Sequence, residues 1–444
     1  MAGFSESRRQ ITHILVGGFA LLLRWLTYWQ AAGVAIAAIV FNLFVLPRVS
    51  RNVFRPGDLD RVSQSGIVIY PVAVLGLILL FPHRPDIAAA SWAILAAGDG
   101  LATLVGAHVR SPKLPWNRDK SVAGLAAGAI GASAAGVFLA CWTSLGMHTP
   151  PPAWFIYTAP ILAAVAAAFV ETVPIRLNDN ISVPFIAAFV MWSLSFVDPA
   201  IVRASIPAAG VVAVAMGVNL LVAIGGWRAG TVTVAGAITG AVIGLAVWIG
   251  AGWQAWTLLF VSFGVAALTT KMGHRRKAAL GISEERGGRR GPGNAIANTG
   301  VFAWAAIVAL GLAHPAGAIL AGVTAMVTAA SDTIASEIGK AFGRTTYSWL
   351  PIRRVPAGTS GAVSLEGTLA GITGAFVLAL YAMAVGLITA RAIPVVVVAA
   401  TVASFAEGAL ATRFEKDGWL NNDVLNFLNS AIGASIALLW WAFV

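Results

Sequence analysis

The chain alternates long apolar runs with short polar breaks. A helix that crosses a bilayer needs roughly 20 mainly apolar residues, because in hydrocarbon every backbone N–H and C=O must be satisfied within the segment. Such runs fall near residues 11–26, 28–46, 65–82, 87–109, 121–145, 153–172, 181–197, 206–225, 231–250, 253–270, 294–313, 316–339, 362–389, 393–411 and 424–443. The pattern predicts an all-α integral membrane protein of about 15 transmembrane helices.

Composition agrees: of 444 residues 58% are hydrophobic and 11% charged, and the mean hydropathy is +0.83. A soluble multidomain chain, a disulfide scaffold, a coiled coil and a disordered tail are excluded. The net charge of +11 invites a nucleic-acid partner, so the position of the charges decides. With the N-terminus in the cytoplasm, all but four of the 29 basic residues fall on the inner side, the exceptions being Arg24, Arg84, Arg203 and Arg391. That is the positive-inside distribution, and it makes membrane lipids rather than nucleic acid the expected surroundings. The expected location is a bacterial-type inner or plasma membrane. Arg8 and Arg9 lead into an apolar stretch without a small-residue cleavage site, which predicts insertion without cleavage. Cys141, the single cysteine, lies in an apolar run and leaves no disulfide or thiolate metal site.

The chain also repeats itself. GDGLATLVGAHVR at 98–110, DKSVAGLAAGAIGA at 119–132 and FVETVPIRLNDNISVPF at 169–185 are followed in the same order by SDTIASEIGKAFGR at 331–344, VSLEGTLAGITGAF at 363–376 and FAEGALATRFEKDGWLNNDVLNF at 405–427. Asp99 aligns with Asp332 at an offset of 233, Gly124 with Gly367 at 243, Glu171 with Glu407 at 236, and Asp179 with Asp423 at 244. Each block ends a span on the cytoplasmic side of the expected topology, which predicts two parallel, related repeats. Asp198 and Pro199 break the apolar pattern between them, so the expected domains are 1–205 and 206–444.

Asp99, Glu171, Asp332, Glu337, Glu366 and Glu407 fall within or at the ends of apolar runs, where an ionised carboxylate costs at least ~2.5 kcal/mol. Acids so placed either pair with lysine or arginine to hold the bundle together or form a site, and their recurrence in duplicated motifs at one face favours a site. Hard oxygen ligands suit Mg²⁺, and the polar groups of Asp179, Asn180, Asp423 and Asn426 add to them. The six histidines are scattered and form no zinc cluster. Basic loops lie beside the acids. Lys113, Arg118 and Lys120 precede Ser121 and Gly124 at a helix start, where free N–H groups favour an anion. Arg353 and Arg354 precede Gly358 and Thr359, and Arg289 and Arg290 precede Asn294. There is no GxxxxGK[ST], hence no Walker-type nucleotide site. Carboxylates for a metal, basic glycine-containing loops for phosphates and a bilayer location suggest phosphoryl or nucleotidyl transfer to a lipid.

GDGLATLVG, KLPWNRDKSVAG, VETVPIRLNDNISVP and the opening RRQITHILVGG resemble the dolichol kinase and phytol kinase family. RKAALGISEERGGRRGPGNAIANTG, ASDTIASEIGKAFGR, GAVSLEGTLAG and GWLNNDVLNFLN resemble the family of phytyl-phosphate kinase and transmembrane protein 19. The first-half family often carries a further acid shortly after its Gly-Asp-Gly, where this chain has Thr103. The resemblances together imply a fused, bifunctional isoprenoid salvage enzyme of the tocopherol-pathway type. One half would phosphorylate an isoprenoid alcohol with a nucleoside triphosphate such as CTP, and the other would convert the monophosphate to the diphosphate. Asp99, Glu171, Asp332 and Glu407 are the expected catalytic acids. Gly98, Gly100, Lys113, Lys120, Ser121, Gly124, Arg289, Arg290, Asn294, Arg353, Arg354, Gly358 and Thr359 are expected on the nucleotide, and Asp179, Asn180, Glu337, Asp423 and Asn426 on the metal. A CTP-dependent lipid cytidylyltransferase would use the same chemistry, and a secondary transporter would share the repeats and buried acids.

Overall fold

The structure of the protein, a computed structural model, describes residues 6–50, 62–63, 65–173, 178–282, 289–348, 351–415 and 419–444. Arg51, Arg55, Arg61, Arg176, Arg286 and Lys416 of the basic set, and parts of the 169–185, 276–300 and 405–427 motifs, lie outside these residues. The chain divides into two units, Met1–Phe196 and Val197–Val444.

The first unit contains α1 (Glu6–Gly17), α2 (Tyr28–Val40), α3 (Leu46–Val49), α4 (Gly66–Leu80), α5 (Pro85–His108), α6 (Val122–Ser144), α7 (Ala153–Glu171) and α8 (Asp179–Leu194). Pro85 opens α5 with its φ preset. Asp86 beside it, fully buried, accepts from Arg84 Nε at 2.9 Å and Nη2 at 2.8 Å. In lipid, apolar area gives neighbouring helices no reason to associate, so packing depends on small residues that let backbones approach. α5 is built for that: Ala88, Ala89, Ala90, Ala93, Ala96, Gly98 and Gly100 line it, and 67% of its apolar window is buried.

The second unit contains α9 (Pro199–Ser205), α10 (Ala209–Arg228), α11 (Val234–Lys271), α12 (His274–Ala279), α13 (Pro292–Ala309), α14 (Ala316–Phe342), α15 (Leu365–Ala384), α16 (Ile393–Leu410) and α17 (Asn422–Trp441). Between α14 and α15 lies a small antiparallel sheet of β1 (Thr346–Ser348), β2 (Arg353–Arg354) and β3 (Ala362–Ser364), ordered β2-β1-β3. α14, rich in alanine, glycine, serine and threonine, is the enclosed helix here, with 72% of its window buried. α10, by contrast, is 11% buried and turns Val214, Leu220 and Leu221 outward, as a hydrocarbon-facing helix must.

α11 is one helix by its hydrogen bonds but two spans by its path. Thirty-eight straight residues would reach about 57 Å, nearly twice a bilayer core. Gly252, at φ 83° and ψ 173°, interrupts it with a conformation that side chains rarely adopt. Beyond the break the chain turns back: the rings of Trp248 and Trp256 are 5.3 Å apart, and a Cβ on Gly244 would lie 3.1 Å from Trp256 Nε1. In a straight helix residues 244 and 256 would be about 18 Å apart.

The all-α membrane architecture is therefore present, with ten described helices long and apolar enough to cross a bilayer, or up to eleven, rather than fifteen. The difference has local causes. The run at 11–26 breaks into α1 and a 3₁₀ segment, Gly18–Arg24; α4 has 15 residues; and α11 covers both the 231–250 and 253–270 runs. α13 carries Asn294, Asn298 and Thr299 in its first two turns, which lowers its apolarity.

Candidate functional site

In the first unit the 110–121 loop is anchored to the C-terminal end of α7. Trp116 Nε1 donates to Thr172 Oγ1 at 3.0 Å, and Asn117 Nδ2 to the Thr172 carbonyl at 3.0 Å. The loop thereby places Lys120 against buried Glu171, with Nζ 2.8 Å from Oε1. Burial works against the Lys120 ammonium, but Glu171, aided by Asp179 and Asp99, outweighs burial and holds its pKa above the ordinary lysine value. Lys120, Glu171, Asp179 and Asp99 are thus one electrostatic cluster. Asp99 Oδ1 accepts from Thr103 Oγ1 at 3.3 Å, and His13 Nε2 lies 3.8 Å from Oδ2. Thr103, where the resembling family carries an acid, here orients Asp99. Asn180 is buried, donates to the Gly66 carbonyl at 3.4 Å and leaves its Oδ1 without a partner.

The glycines of this motif serve packing. A Cβ on Gly98 would be 3.4 Å from Ala132 Cβ, one on Gly100 2.5 Å from Ile14 Cγ1, and one on Gly124 2.8 Å from the Ala102 carbonyl oxygen. Gly98 and Gly100 lie inside α5, so their N–H groups belong to the helix ladder. The start of α6 does not offer the free donors expected there. Val122 N donates to the Pro112 carbonyl at 2.9 Å, Ala123 N to Ser111 Oγ at 3.0 Å and Gly124 N to Ser121 Oγ at 3.2 Å. The loop itself satisfies the orphan N–H groups, and a phosphate there would meet side chains instead. Lys113, with Nζ 3.2 Å from the Asp119 carbonyl, is exposed and within the same loop.

In the second unit a cavity of about 320 Å³ is lined by Asp332 of α14, Glu407 of α16, the 358–364 loop and Asn422 of α17. Asp332 and Glu407 face this one cavity, and Glu407 Oε2 is buried with no partner. Gly358 and Gly361, at φ 84° and 70°, let the loop turn tightly, and Ser360 Oγ donates to Glu415. Gly358 and Thr359 therefore belong to this site. Arg353 and Arg354 are exposed on β2, where Arg354 Nε lies 3.4 Å from Tyr347 Oη.

Other expected residues lie elsewhere. Glu337, almost wholly buried, accepts from Lys277 at 2.5 Å and Lys340 at 3.2 Å, so both its oxygens are engaged by ammonium groups. Asp423 packs against Gly293 in the first turn of α13, where the helix dipole favours a carboxylate. Asn422 and Leu425, not Asn426, face the acid cavity. Arg290 and Asn294 line a second, mainly apolar cavity of about 150 Å³ with Trp256 and Phe263, and Arg289 lies beside Gly230. Sequence reasoning passed over His13, treated as a scattered histidine, and Lys277, counted only as a topogenic charge. His13 directly precedes the apolar Ile14, Leu15 and Val16 and gives no local signal, whereas Lys277 directly follows two other basic residues, Arg275 and Arg276.

Among the described residues no group of three or more His, Cys, Asp or Glu side chains is close enough to hold a metal ion. Mg²⁺ commonly takes one or two carboxylates, filling its shell with water and substrate phosphates. The Asp332–Glu407 pair, with one buried oxygen unclaimed, fits that donor set.

Residues 217–434 match the family described as integral membrane protein DUF92. The uncharacterized membrane protein sll0875 of Synechocystis sp. is 38% identical over 203 residues, covering 44% of this chain and 78% of that protein. The chain belongs to the DUF92 family of integral membrane proteins. Protein VTE6, chloroplastic, of Arabidopsis thaliana is 38% identical over 209 residues, 46% of this chain and 63% of VTE6. Probable phytol kinase 2, chloroplastic, of Oryza sativa subsp. japonica is 29% identical over 204 residues, 42% of this chain and 66% of that protein. The chain thus spans less than two thirds of either of these two relatives. No solved structure matches it.

Proposed function

We propose that this DUF92 protein is a membrane phosphotransferase that phosphorylates an isoprenoid alcohol in its first unit and the resulting monophosphate in its second, with a nucleoside triphosphate such as CTP as donor. The observation that carries the reading is the pairing of acids from separate helices beside a polar loop in each unit: Glu171 and Asp99 with Lys120, and Asp332 and Glu407 with the 358–364 loop. Relatives named phytol kinase support the substrate class.

Phosphoryl transfer asks for positioning and charge neutralisation more than for covalent chemistry. In the first unit the acceptor is an alcohol. Asp99, oriented by Thr103 and backed by His13, would take the hydroxyl proton. The alcohol oxygen bonds to the γ-phosphorus, the bond from that phosphorus to the β–γ bridging oxygen breaks, and the nucleoside diphosphate leaves. Lys120 and Lys113 would neutralise phosphate charge. In the second unit the acceptor is a phosphate oxygen already without its proton, so that site needs cations rather than a base. Bound Mg²⁺ would screen the phosphates there, with Asp332 and Glu407 as its protein ligands. Gly358, Thr359 and Ser360 would border the donor.

The test is purified protein given γ-labelled CTP or ATP with farnesol, geranylgeraniol, phytol and their monophosphates. Asp99→Asn should lower alcohol phosphorylation by about 10²–10⁴-fold, the usual worth of a positioned acid–base group, and leave monophosphate phosphorylation intact. Equal loss of both sinks the assignment of one reaction to each unit. Label entering lipid from the α rather than the γ position would make the protein a cytidylyltransferase.

A further inference from the structure

The residue just before one helix cap carries a charge in the first acid site and none in the second, and the helix contacts around the two sites show that these positions are equivalent. In the first unit a Cβ on Gly124 would lie 3.2 Å from Ser121 Oγ and 3.3 Å from Gly106 Cα, and one on Gly128 2.9 Å from Ala102 Cβ and 3.1 Å from the Gly98 carbonyl oxygen. In the second unit a Cβ on Gly367 would lie 3.0 Å from Ser364 Oγ and 3.1 Å from Gly339 Cα. One on Gly371 would lie 3.0 Å from Ala335 Cβ and 3.2 Å from the Ser331 carbonyl oxygen. Every residue of the first helix in these contacts is displaced by 233 and every residue of the second by 243. Both second helices are also capped alike, by Ser121 on Gly124 N at 3.2 Å and by Ser364 on Gly367 N at 3.1 Å.

The residue before each cap is therefore equivalent, and it is Lys120 in one unit and Val363 in the other. Lys120 places its ammonium on Glu171. Val363 lines the acid cavity with Asp332 and Glu407 but brings no charge to Glu407, whose Oε2 is buried and unclaimed. Buried polar atoms are nearly always satisfied. Among the described residues Lys340 also lines this cavity, with its ammonium 3.2 Å from Glu337 and its charge felt by Asp332.

We propose that Asp332 and Glu407 bind one hard divalent cation, and that in the first unit the Lys120 ammonium occupies the equivalent position. The pair offers only oxygen donors, which select Mg²⁺ or Mn²⁺ over zinc. Two carboxylates leave most of the coordination shell for water or phosphate, as Mg²⁺ prefers. The first unit, with Lys120 in place, carries a fixed cation and needs one metal fewer. This rests on the paired-acid sites of the reading above but not on which group is transferred.

Mn²⁺ binding to the full-length protein in detergent, followed by electron paramagnetic resonance without nucleotide or lipid, tests it. The unaltered protein should bind one Mn²⁺ that excess Mg²⁺ displaces. Glu407→Gln and Asp332→Asn should each weaken it at least tenfold. Val363→Lys should abolish it by supplying an ammonium, while Val363→Leu, similar in bulk but uncharged, keeps it and serves as the folding control. Lys120→Val should create a second Mn²⁺ site. No displaceable Mn²⁺ in the unaltered protein, or unchanged binding in Glu407→Gln, overturns the metal site. A single Mn²⁺ in Lys120→Val overturns the role of Lys120. Mn²⁺ bound without any phosphate transfer defeats the kinase reading alone, and transfer without Mn²⁺ binding in the absence of nucleotide defeats the cation site alone.

Discussion

Lys277→Met removes one side of a pair buried among helices. Lys277 and Glu337 are 1% and 2% exposed, 2.5 Å apart, and Lys277 Nζ also donates to the Thr270 carbonyl at 2.6 Å. Removing one partner of such a pair costs about 3–5 kcal/mol, because the remaining charge is left without compensation. Lys340, 3.2 Å from the other Glu337 oxygen and a quarter exposed, compensates in part and puts the cost near the lower end, about 3 kcal/mol. For a unit of roughly 150–250 residues that lowers Tm by about 6–12 °C, read by thermal unfolding in detergent. Lys277→Met with Glu337→Gln removes both charges and should recover most of the loss, since neutral replacement of a buried pair is often close to neutral in stability. The double variant should also keep the Mn²⁺ site, because Glu337 spends both oxygens on lysines. An unshifted Tm for Lys277→Met, or a double variant as unstable as the single one, refutes this account. Loss of Mn²⁺ in a stable double variant would make Glu337 a ligand after all.

Two further outcomes follow from local geometry. Gly124→Ala puts a Cβ 2.8 Å from the Ala102 carbonyl oxygen and should destabilise the first unit by about 1–3 kcal/mol, measurable as a fall in Tm, with loss of alcohol phosphorylation before monophosphate phosphorylation. The hydrogen bond and charge of Arg354 favour the Tyr347 phenolate and lower its pKa, so Arg354→Ala should move that ionisation to higher pH. The ultraviolet difference titration against Tyr347→Phe measures this, and an unmoved transition contradicts the contact.

The membrane architecture was legible because hydrocarbon demands a coarse signal, about 20 apolar residues at a time. The acids were legible for the complementary reason, since a carboxylate in such a run is conspicuous. Their partners were not. Lys277 and Glu337 are 60 positions apart and meet only through tertiary packing, and Lys120 reaches Glu171 across 51. Gly98 and Gly100 are expected on a nucleotide from the resemblance of their motif, yet apolar residues on both sides continue α5 through them and they serve helix contact. The 346–364 sheet left no alternating apolar pattern and rests on three strands of three, two and three residues.

The reversal of α11 at Gly252 has a consequence for assembly. A helical hairpin returns both ends to one surface of the bilayer, so Arg228 before it and Lys271, Arg275 and Arg276 after it flank its open end. Trp248, Trp253 and Trp256 mark its closed tip, the depth at which indole rings settle. Pulling either arm back through the lipid would drag cations across the core at about 2.5–3.5 kcal/mol each. The hairpin is a barbed element: it enters tip first, and the charges at its open end keep it from leaving or inverting.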